Sequence, residues 1–471
     1  MNRWAFVQSA GLLAASSFLS PPSRAAALGL PVMRPVAGQR RFSSRAVEAA
    51  IGEFQQKVKD PELGWLFGNC LPNPLDTTVA PGTHLGRPDT YVSTGDIDAM
   101  WLRDSSAQVW PYLAFVKQDA PLRQLVAGVI HRQTRCILQD PYANAFYQDP
   151  TKVGEWKTDH TAMQPGVHER KWAIDSLCYP IRLAYHYWKT TGDEQPFDAQ
   201  WRQAIDLTVK TFREQQRKTG PGPYHFQRTT AKATDTQPLG GHGYPVLPTG
   251  LIASAFRPSD DATLLPFLVP SNFFAVISLR QAALMLNDIQ HDGAAYQNLM
   301  ALADEVAVAL REHAIITHPV HGRVYAYEVD GYGGHTLLDD ANVPSLLALP
   351  YLGAIPLNDP VYQNTRRLVL SADNPFFYKG KAGEGIGGPH VGQDMIWPIS
   401  IVMRGLTSIN DAEIRACVQL LKTTHAGTGY MHESFHKDDP NTYTRPWFAW
   451  ANTLFGEFLW KVYQERPTLL R

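Results

Sequence analysis

Most of the chain alternates between long amphipathic stretches and loops rich in Gly, Pro and Asn. Apolar residues recur three and four positions apart in these stretches, which is typical of helices with one buried face. Few segments show the strict alternation of a half-buried strand. Helices are predicted over twelve ranges: about 43–59, 97–117, 120–138, 169–190, 194–217, 270–286, 293–313, 341–352, 359–371, 392–406, 411–424 and 445–463.

Several predicted helices have recognisable ends. Ser43-Ser44 supplies an N-cap, Asp359-Pro360 combines an N-cap with proline at the first helical position, and Gly427 lies just past a helix end. Twelve helices make six helical hairpins, and a single hairpin cannot bury its apolar face alone. We therefore expect an all-α fold, an (α/α)6 barrel of six inner and six outer helices, as one domain over 28–471.

Residues 218–269 interrupt the helical pattern. This segment is rich in Pro and Gly, and loops of such length inside a compact domain are usually functional or disordered. It still contains aromatic and charged residues: Tyr224, Phe226, Arg257, Asp260 and Asp261. These residues favour the wall of a cleft over a flexible linker.

The N-terminus has the features of an export signal. Arg3 gives a short positive region, residues 4–19 are apolar and small, and Ala25-Ala26-Ala27 offers an A-x-A cleavage site. The apolar run is too short and mixed for a stable membrane span, although an uncleaved anchor is an alternative. The leader has no adjacent Arg pair for the twin-arginine route. We expect residues 1–27 to be a signal peptide and the mature protein to be exported, either periplasmic or secreted, with no integral membrane span.

Composition narrows the classes of partner. The 43 basic and 44 acidic residues leave a formal charge of −1, and no Lys/Arg-rich run predicts binding to nucleic acid or an anionic membrane. The chain has 12 Trp, 19 Tyr and 20 Phe, mostly core residues by expectation, but the C–H face of a pyranose also packs on aromatic rings. The four cysteines form no C-x-x-C pair, and isolated buried thiols are a simpler interpretation than disulfides.

Four segments concentrate side chains suited to a polyol. In the first, Asp98, Trp101, Arg103 and Asp104 fall near the start of a predicted helix, where they can point into a cavity. Carboxylates accept from sugar hydroxyls, and Arg donates through a rigid fork. Capping and compensation of the helix dipole is an equally good explanation of these acids.

The second segment places Asp175 among apolar residues of a predicted helix. A buried Asp must be paired, hydrogen-bonded or protonated, and a carboxyl group protonated near neutral pH is what a general acid requires. A structural salt bridge is the alternative.

The third segment joins Asp339, Asp340 and Asn342 with the later Trp397, and the fourth carries Glu433 in a loop before the last helix. The adjacent acids lack the ligand spacing of a calcium loop, so N-capping is their simpler role. His432-Glu433 is not followed by the second His of a zinc-protease motif. A loop carboxylate such as Glu433 is usually just solvated.

At these residues the chain resembles glycoside hydrolase family 125. The resemblance rests on five motifs in one order: T-G-D-I-D-A-M-W-L-R-D-S-S, I-D-S-L-C-Y-P, D-D-A-N-V-P-S-L-L, Q-D-M-I-W-P-I-S and Y-M-H-E-S-F. It extends from about Arg41 to Trp460. Members of this family are exo-α-1,6-mannosidases with an (α/α)6 barrel, and they need no metal or other cofactor. The resemblance implies a mannose-containing oligosaccharide or N-glycan as substrate.

The resemblance also implies roles for single residues. It matches Asp175 to a general acid and Glu433 to a general base of an enzyme that inverts the anomeric configuration. The candidates for holding the mannose are the remaining polar and aromatic residues of these segments: Asp98, Trp101, Arg103, Asp104, Arg257, Asp340, Asn342 and Trp397. Two other classes of protein stay open, namely another carbohydrate enzyme on the same barrel, such as a glucosidase or sugar epimerase, and a non-catalytic glycan-binding protein.

Overall fold

The computed structural model describes residues 29–470, and the predicted signal peptide lies outside the described residues. The described chain is predominantly helical. Its α-helices are α1 (Arg45–Lys57), α2 (Pro61–Cys70), α3 (Asn73–Thr77), α4 (Leu102–Val109), α5 (Ala120–Gln139), α6 (Ile174–Thr191), α7 (Ala199–Gln215), α8 (Val269–Asp288), α9 (Gly293–His313), α10 (Pro360–Val369), α11 (Pro398–Leu406), α12 (Asp411–Thr423) and α13 (Ala449–Glu465).

Short strands form small antiparallel sheets in the connections. They are β1 (Val79–His84), β2 (Arg87–Val92), β3 (Met100–Trp101), β4 (Ala145–Phe146), β5 (Val167–Glu169), β6 (Phe267–Leu268), β7 (Ile315–His318), β8 (Gly322–Tyr325), β9 (Glu328–Val329), β10 (His335–Thr336), β11 (Phe377–Lys379), β12 (Glu384–Ile386), β13 (Met395–Ile396), β14 (Ser434–His436) and β15 (Asp439–Thr444). The sheets have the orders β1-β2, β3-β4-β5, β10-β9-β6, β7-β8, β11-β12 and β13-β14-β15. Most strands have only two to four residues, too few to show a period-two pattern.

Eleven of the twelve predicted helical ranges contain a helix, and the predicted caps are present. The Ser44 hydroxyl accepts the backbone N–H of Val47 at 3.2 Å, and the Asp359 carboxylate accepts that of Tyr362 at 2.8 Å. These contacts satisfy N–H groups that have no partner within the helix.

The prediction of a helix at 341–352 is wrong, because this segment forms a series of turns. Pro344 and Pro350 lack the N–H that a helix interior needs. The Asp339 carboxylate instead accepts the backbone N–H groups of Leu346 and Leu347, at 2.8 and 3.0 Å.

The structure also differs from the prediction at the start of one helix and in one region where no helix was predicted. The range 97–117 becomes a helix only at Leu102, after β3, because residues 100–101 pair with β4. The helices α2 and α3 were not predicted. Eight of the ten residues of α2 are buried, so the helix has no polar face to produce an amphipathic pattern.

The longer helices pack in a definite order around one core. Helices α8, α6, α4, α13 and α11 are neighbours in that sequence, while α9 packs on α8, α12 on α11, and α5 on α4 and α6. One continuous cluster of buried apolar side chains runs from Val47 to Leu470. All four cysteines lie in this core region as free thiols, as the simpler interpretation of the sequence predicted.

Helix α8 is the most apolar long helix. By length and composition it could cross a membrane, but 78% of its most apolar window is buried inside the protein. Packing against α6 and α9 accounts for its apolar surface.

Candidate active site

A cavity lies where three helices begin. Arg103 and Asp104 are in the first turn of α4, Trp450 is in the first turn of α13, and Trp397 is the N-cap of α11. Its walls come from distant parts of the chain: Thr94, Ile97, Trp101, Arg103, Asp104, Pro258, Ser259, Asp260, Asn342, His390, Trp397, Glu433, Arg445, Phe448 and Trp450. Residues 258–260 belong to the long irregular segment, so the prediction that it forms a cleft wall is confirmed.

Arg103 organises one side of the cavity. Its Nη1 is 3.4 Å from Oδ2 of Asp175, its Nη2 is 3.4 Å from Oδ1 of Asp260, and its Nε is 3.3 Å from Oδ2 of Asp104. The Arg103 side chain is only 5% exposed. Three carboxyl groups thus share one buried guanidinium, and we call these four residues the Arg103 cluster.

The excess of carboxyl groups favours proton retention. Burial raises the pKa of Asp175 to about 6, with Arg103 opposing this shift and Asp260 adding to it. Burial likewise raises the pKa of Asp104 to about 6, again against the pull of Arg103. One cation cannot offset the cost of ionising several buried acids, so the cluster holds protons at a pH where an exposed Asp has lost its own.

Glu433 also lines the cavity. It immediately precedes β14, and the pairing of Ser434 with Thr444 across the β14–β15 hairpin brings Arg445 next to it. The Nε of Arg445 lies 3.4 Å from Oε1 of Glu433, whose side chain is 9% exposed. This carboxylate therefore has a cationic partner of its own.

Two further predicted residues, Asp340 and Asn342, shape the cavity wall. Asn342 lines the cavity, and Asp340 lies next to it. The Asp340 carboxylate accepts the backbone N–H of Asn342 at 3.0 Å and the hydroxyl of Ser259 at 2.9 Å. Asp340 thus ties the turn at 339–342 to the loop that carries Asp260.

Trp101 and Trp397 supply aromatic surface. Both line the cavity, and the indole N–H of each is buried without a hydrogen-bond partner among the described residues. Trp101 packs edge-on against His168, with ring centroids 5.1 Å apart. These rings offer the apolar face and free donor that suit a sugar.

Besides Asp340, three predicted residues do not line the cavity. Asp98 is 75% exposed and pairs with Lys152, its Oδ2 lying 2.8 Å from Nζ, because the chain turns outward before β3. Arg257 is buried with its Nε 2.7 Å from Oε1 of Glu328. Asp175 is completely buried and contacts Arg103, which does line the cavity. The role of Asp175 as proton donor stays a prediction of the resemblance.

Some cavity residues were absent from the predicted set, notably Asp260, His390, Arg445 and Trp450. Asp260 and Arg445 have positive φ angles of 64° and 48°, which are unusual for residues other than glycine. Such backbone geometry is often found at functional sites. The only sequence signal for Asp260 was its place in the long irregular segment. Nothing in the sequence pattern indicated Arg445.

The described residues include no group of three or more His, Cys, Asp or Glu side chains arranged to hold a metal ion. The three acids around Arg103 are held by a guanidinium instead.

Residues 60–460 match the family model of the metal-independent α-mannosidases, GH125. The chain belongs to this family. It is therefore a glycoside hydrolase, and the α-mannosidase class agrees with a cavity built from carboxyl groups and aromatic rings.

Two relatives match this GH125 chain over nearly its whole length. The Meiotically up-regulated gene 157 protein of Schizosaccharomyces pombe is 42% identical, over 94% of this chain and 91% of its own. The solved structure of a Streptococcus pneumoniae metal-independent α-mannosidase, in a non-productive complex with α-1,6-mannobiose, is 41% identical. It has a TM-score of 0.86 and covers 90% of this chain and 100% of its own.

A more distant structure shares only the fold. A bacterial glucoamylase complexed with acarbose has a TM-score of 0.57 at 14% identity, covering 86% of this chain and 57% of its own.

Proposed function

We propose that this protein removes terminal α-1,6-linked mannose from oligosaccharides or N-glycans, with inversion of anomeric configuration and without a metal. The observation that carries the proposal is the pair of carboxyl groups, Asp260 and Glu433, on the walls of one cavity that also offers two tryptophans. The α-1,6 linkage is suggested by the ligand of the pneumococcal relative.

In this proposal Glu433 is the general base. Its carboxyl group lines the cavity and is paired with Arg445. It takes a proton from a water molecule as the water oxygen attacks the anomeric carbon. In an inverting enzyme the acid and base are roughly 6.5–9.5 Å apart to leave room for this water.

The general acid must protonate the departing glycosidic oxygen, so it must reach the cavity. The resemblance assigned this role to Asp175, whose side chain is 0% exposed, whereas the Asp260 side chain is 18% exposed and lines the cavity. We therefore assign the proton donation to Asp260. Asp175 and Asp104 hold Arg103 and raise the negative charge around it, which favours retention of a proton in the Arg103 cluster.

The remaining cavity residues would hold the terminal mannose. Asn342 and Asp104 offer hydrogen-bonding groups, and Trp101 and Trp397 offer ring faces and free indole donors. Asp340 would act indirectly, by fixing Asn342. Asp98 is exposed and Arg257 is buried, and neither lines the cavity. Neither residue would therefore contact the mannose directly.

We also propose that the domain is an (α/α)6 barrel. In support, α4, α6, α8, α11 and α13 are adjacent in space, and the 341–352 turns fill the sixth inner position. Tyr179 of α6 donates to the carbonyl of Val343 at 2.8 Å, which joins the turns to the inner helices. The outer positions would be taken by α2, α5, α7, α9, α10 and α12. This single catalytic domain would follow a cleaved signal peptide, and the enzyme would act in the periplasm or outside the cell.

The proposal is tested by incubating the mature chain with α-1,6-mannobiose and excess chelator while anomeric protons are followed by NMR. We expect β-mannose to appear first and later to mutarotate, with α-1,2- and α-1,3-mannobiose as matched controls that react more slowly. Early α-mannose would contradict inversion. Activity that requires added metal would contradict the mechanism, and faster cleavage of another linkage would contradict the substrate.

A further inference from the structure

The β14–β15 hairpin places an arginine beside the proposed base. Glu433 precedes β14 and Arg445 follows β15, and the two strands pair at Ser434 and Thr444. The hydroxyls of Ser434 and Thr444 are 2.6 Å apart, so the hairpin is tied at its base. Residues just outside an antiparallel pair lie opposite each other. The hairpin therefore converts a separation of twelve residues into a contact between Glu433 and Arg445.

Arg445 contacts two carboxylates at once. Its Nε lies 3.4 Å from Oε1 of Glu433, and its Nη1 donates to Oδ1 of Asp96 at 3.0 Å. Asp96 sits in the tight turn closed by the bridge between Thr94 and Ile97. The guanidinium thus links this turn to the hairpin across the edge of the cavity.

The backbone around Arg445 is fixed by further contacts. The residue has a φ of 48°, and its carbonyl lies 3.2 Å from Nδ1 of His432. The His432 ring stacks on Tyr443 with centroids 3.9 Å apart and an angle of 4° between planes. A left-handed arginine persists only where its surroundings impose it. These contacts aim the guanidinium at Glu433.

No other cation is available to Glu433. Among residues 29–470, Arg445 is the only Lys, Arg or His within ion-pair distance of its carboxylate. Arg103, the other arginine of the cavity, already contacts the acids of its own cluster.

We propose that Arg445, held by Asp96, is a positioning residue that orients Glu433 as the general base. This inference rests on the proposed function of Glu433. Arg445 takes part in no bond change: the proton moves from water to Glu433, and the guanidinium only holds the carboxylate in place before that transfer.

The central test is Arg445→Met, measured on α-1,6-mannobiose. We expect kcat to fall about 10- to 100-fold, because a misplaced catalytic group costs this much, while KM changes less than about threefold. A loss confined to kcat, with KM nearly unchanged, is the result that a merely structural role of Arg445 would not give.

Two milder variants keep the proposal testable if Arg445→Met does not fold. Arg445→Lys retains a charge but not the fork, so it should recover only part of the kcat that Arg445→Met loses. Asp96→Asn should lower kcat less than Arg445→Met, because Asp96 is 54% exposed and acts only by holding the guanidinium.

Arg202→Met is a matched control. The Arg202 side chain is 28% exposed, as is that of Arg445, and it also pairs with two carboxylates, Asp206 and Asp292, but on α7 away from the cavity. Its kinetics and pH profile should equal those of the unmodified enzyme.

A double variant separates this inference from the proposed function. In a Glu433→Gln background, Arg445→Met should cause almost no further loss of kcat, because residues that act as a unit are not additive. An undiminished loss in that background, or an unchanged kcat in the single variant, would overturn the positioning role. High activity of Glu433→Gln alone would instead overturn the proposed base.

Discussion

Two groups of acids line the cavity in different charge surroundings: three carboxyl groups share the guanidinium of Arg103, whereas Glu433 contacts Arg445, which also pairs with the exposed Asp96. The first group is almost fully buried, and burial raises the pKa of both Asp104 and Asp175 to about 6. Arg445 lowers the pKa of Asp104, so the two groups are close enough to interact. The same residue types thus give an excess of buried acid in one group and a more even balance of charge in the other.

The largest loss of activity is expected from a substitution of Glu433. Glu433→Gln should lower kcat on α-1,6-mannobiose about 10²- to 10⁴-fold, because the amide cannot take a proton from water. Mannose release over time measures the loss, and thermal unfolding should be nearly unchanged. Added azide should restore part of the turnover and give a β-mannosyl azide. Normal turnover without azide would remove Glu433 from the base role.

The roles of Asp260 and Asp175 can be distinguished with substrates that differ in their leaving group. Asp260→Asn should lower kcat about 10²- to 10⁴-fold on mannobiose but far less on an aryl α-mannoside, whose phenolate departs without protonation. Asp175→Asn should lower kcat by similar factors on both substrates, because it disturbs Arg103 and not the proton transfer. The opposite result, with Asp175→Asn rescued by the better leaving group, would return the acid role to Asp175.

The pH dependence of kcat/KM tests the role of the buried acids in the Arg103 cluster. The kcat/KM of the enzyme should fall as the pH rises past about 6, because Asp175 and Asp104 then lose their protons and place further negative charge around Arg103 and Asp260. Asp175→Asn removes one of these two ionisations, so the fall should be smaller in this variant. Arg445 lowers the pKa of Asp104, so Arg445→Met should move the fall to higher pH. An unchanged profile in both variants would contradict this role of the two buried acids.

The smallest expected effect is on stability. The pKa of Asp175 is about 6 in the folded protein and about 3.9 when unfolded, so the folded state binds this proton more tightly. The resulting stabilisation is full below about pH 4 and is lost as the pH rises through 6. Asp175→Asn should therefore unfold at higher denaturant concentration than the unmodified protein at pH 8, by about 1–3 kcal/mol, with no such gain at pH 4. An equal gain in the free energy of unfolding at pH 8 and pH 4 would mean that the charge of Asp175 is not the cause.

Much of the helical framework could be predicted because helix formation leaves local signals. Ser44 and Asp359 cap helices where the sequence indicated, and α9 has the predicted bounds. The errors fall where local signals are absent or overridden. Helix α2 is buried on all sides, and the 341–352 segment combines prolines with long-range hydrogen bonds from Asp339.

The candidate site was predictable only in part. Arg103, Asp104, Asn342, Trp397 and Glu433 stand in recognisable motifs and line the cavity. Asp98 belongs to the same motif but points to solvent, because a motif fixes residue identity and not the direction of a loop side chain.

The sequence by itself therefore determined the family, the order of the helices and the residue types of the site, since these follow from local patterning and motif. Only the tertiary structure decided which carboxyl groups face the cavity. Asp175 is fully buried and Asp260 partly exposed because of how α4, α6 and the long loop pack around Arg103. The partner of Glu433 was likewise set by the pairing of a hairpin. Exposure and charge balance depend on contacts between residues far apart in the chain, which no local pattern encodes.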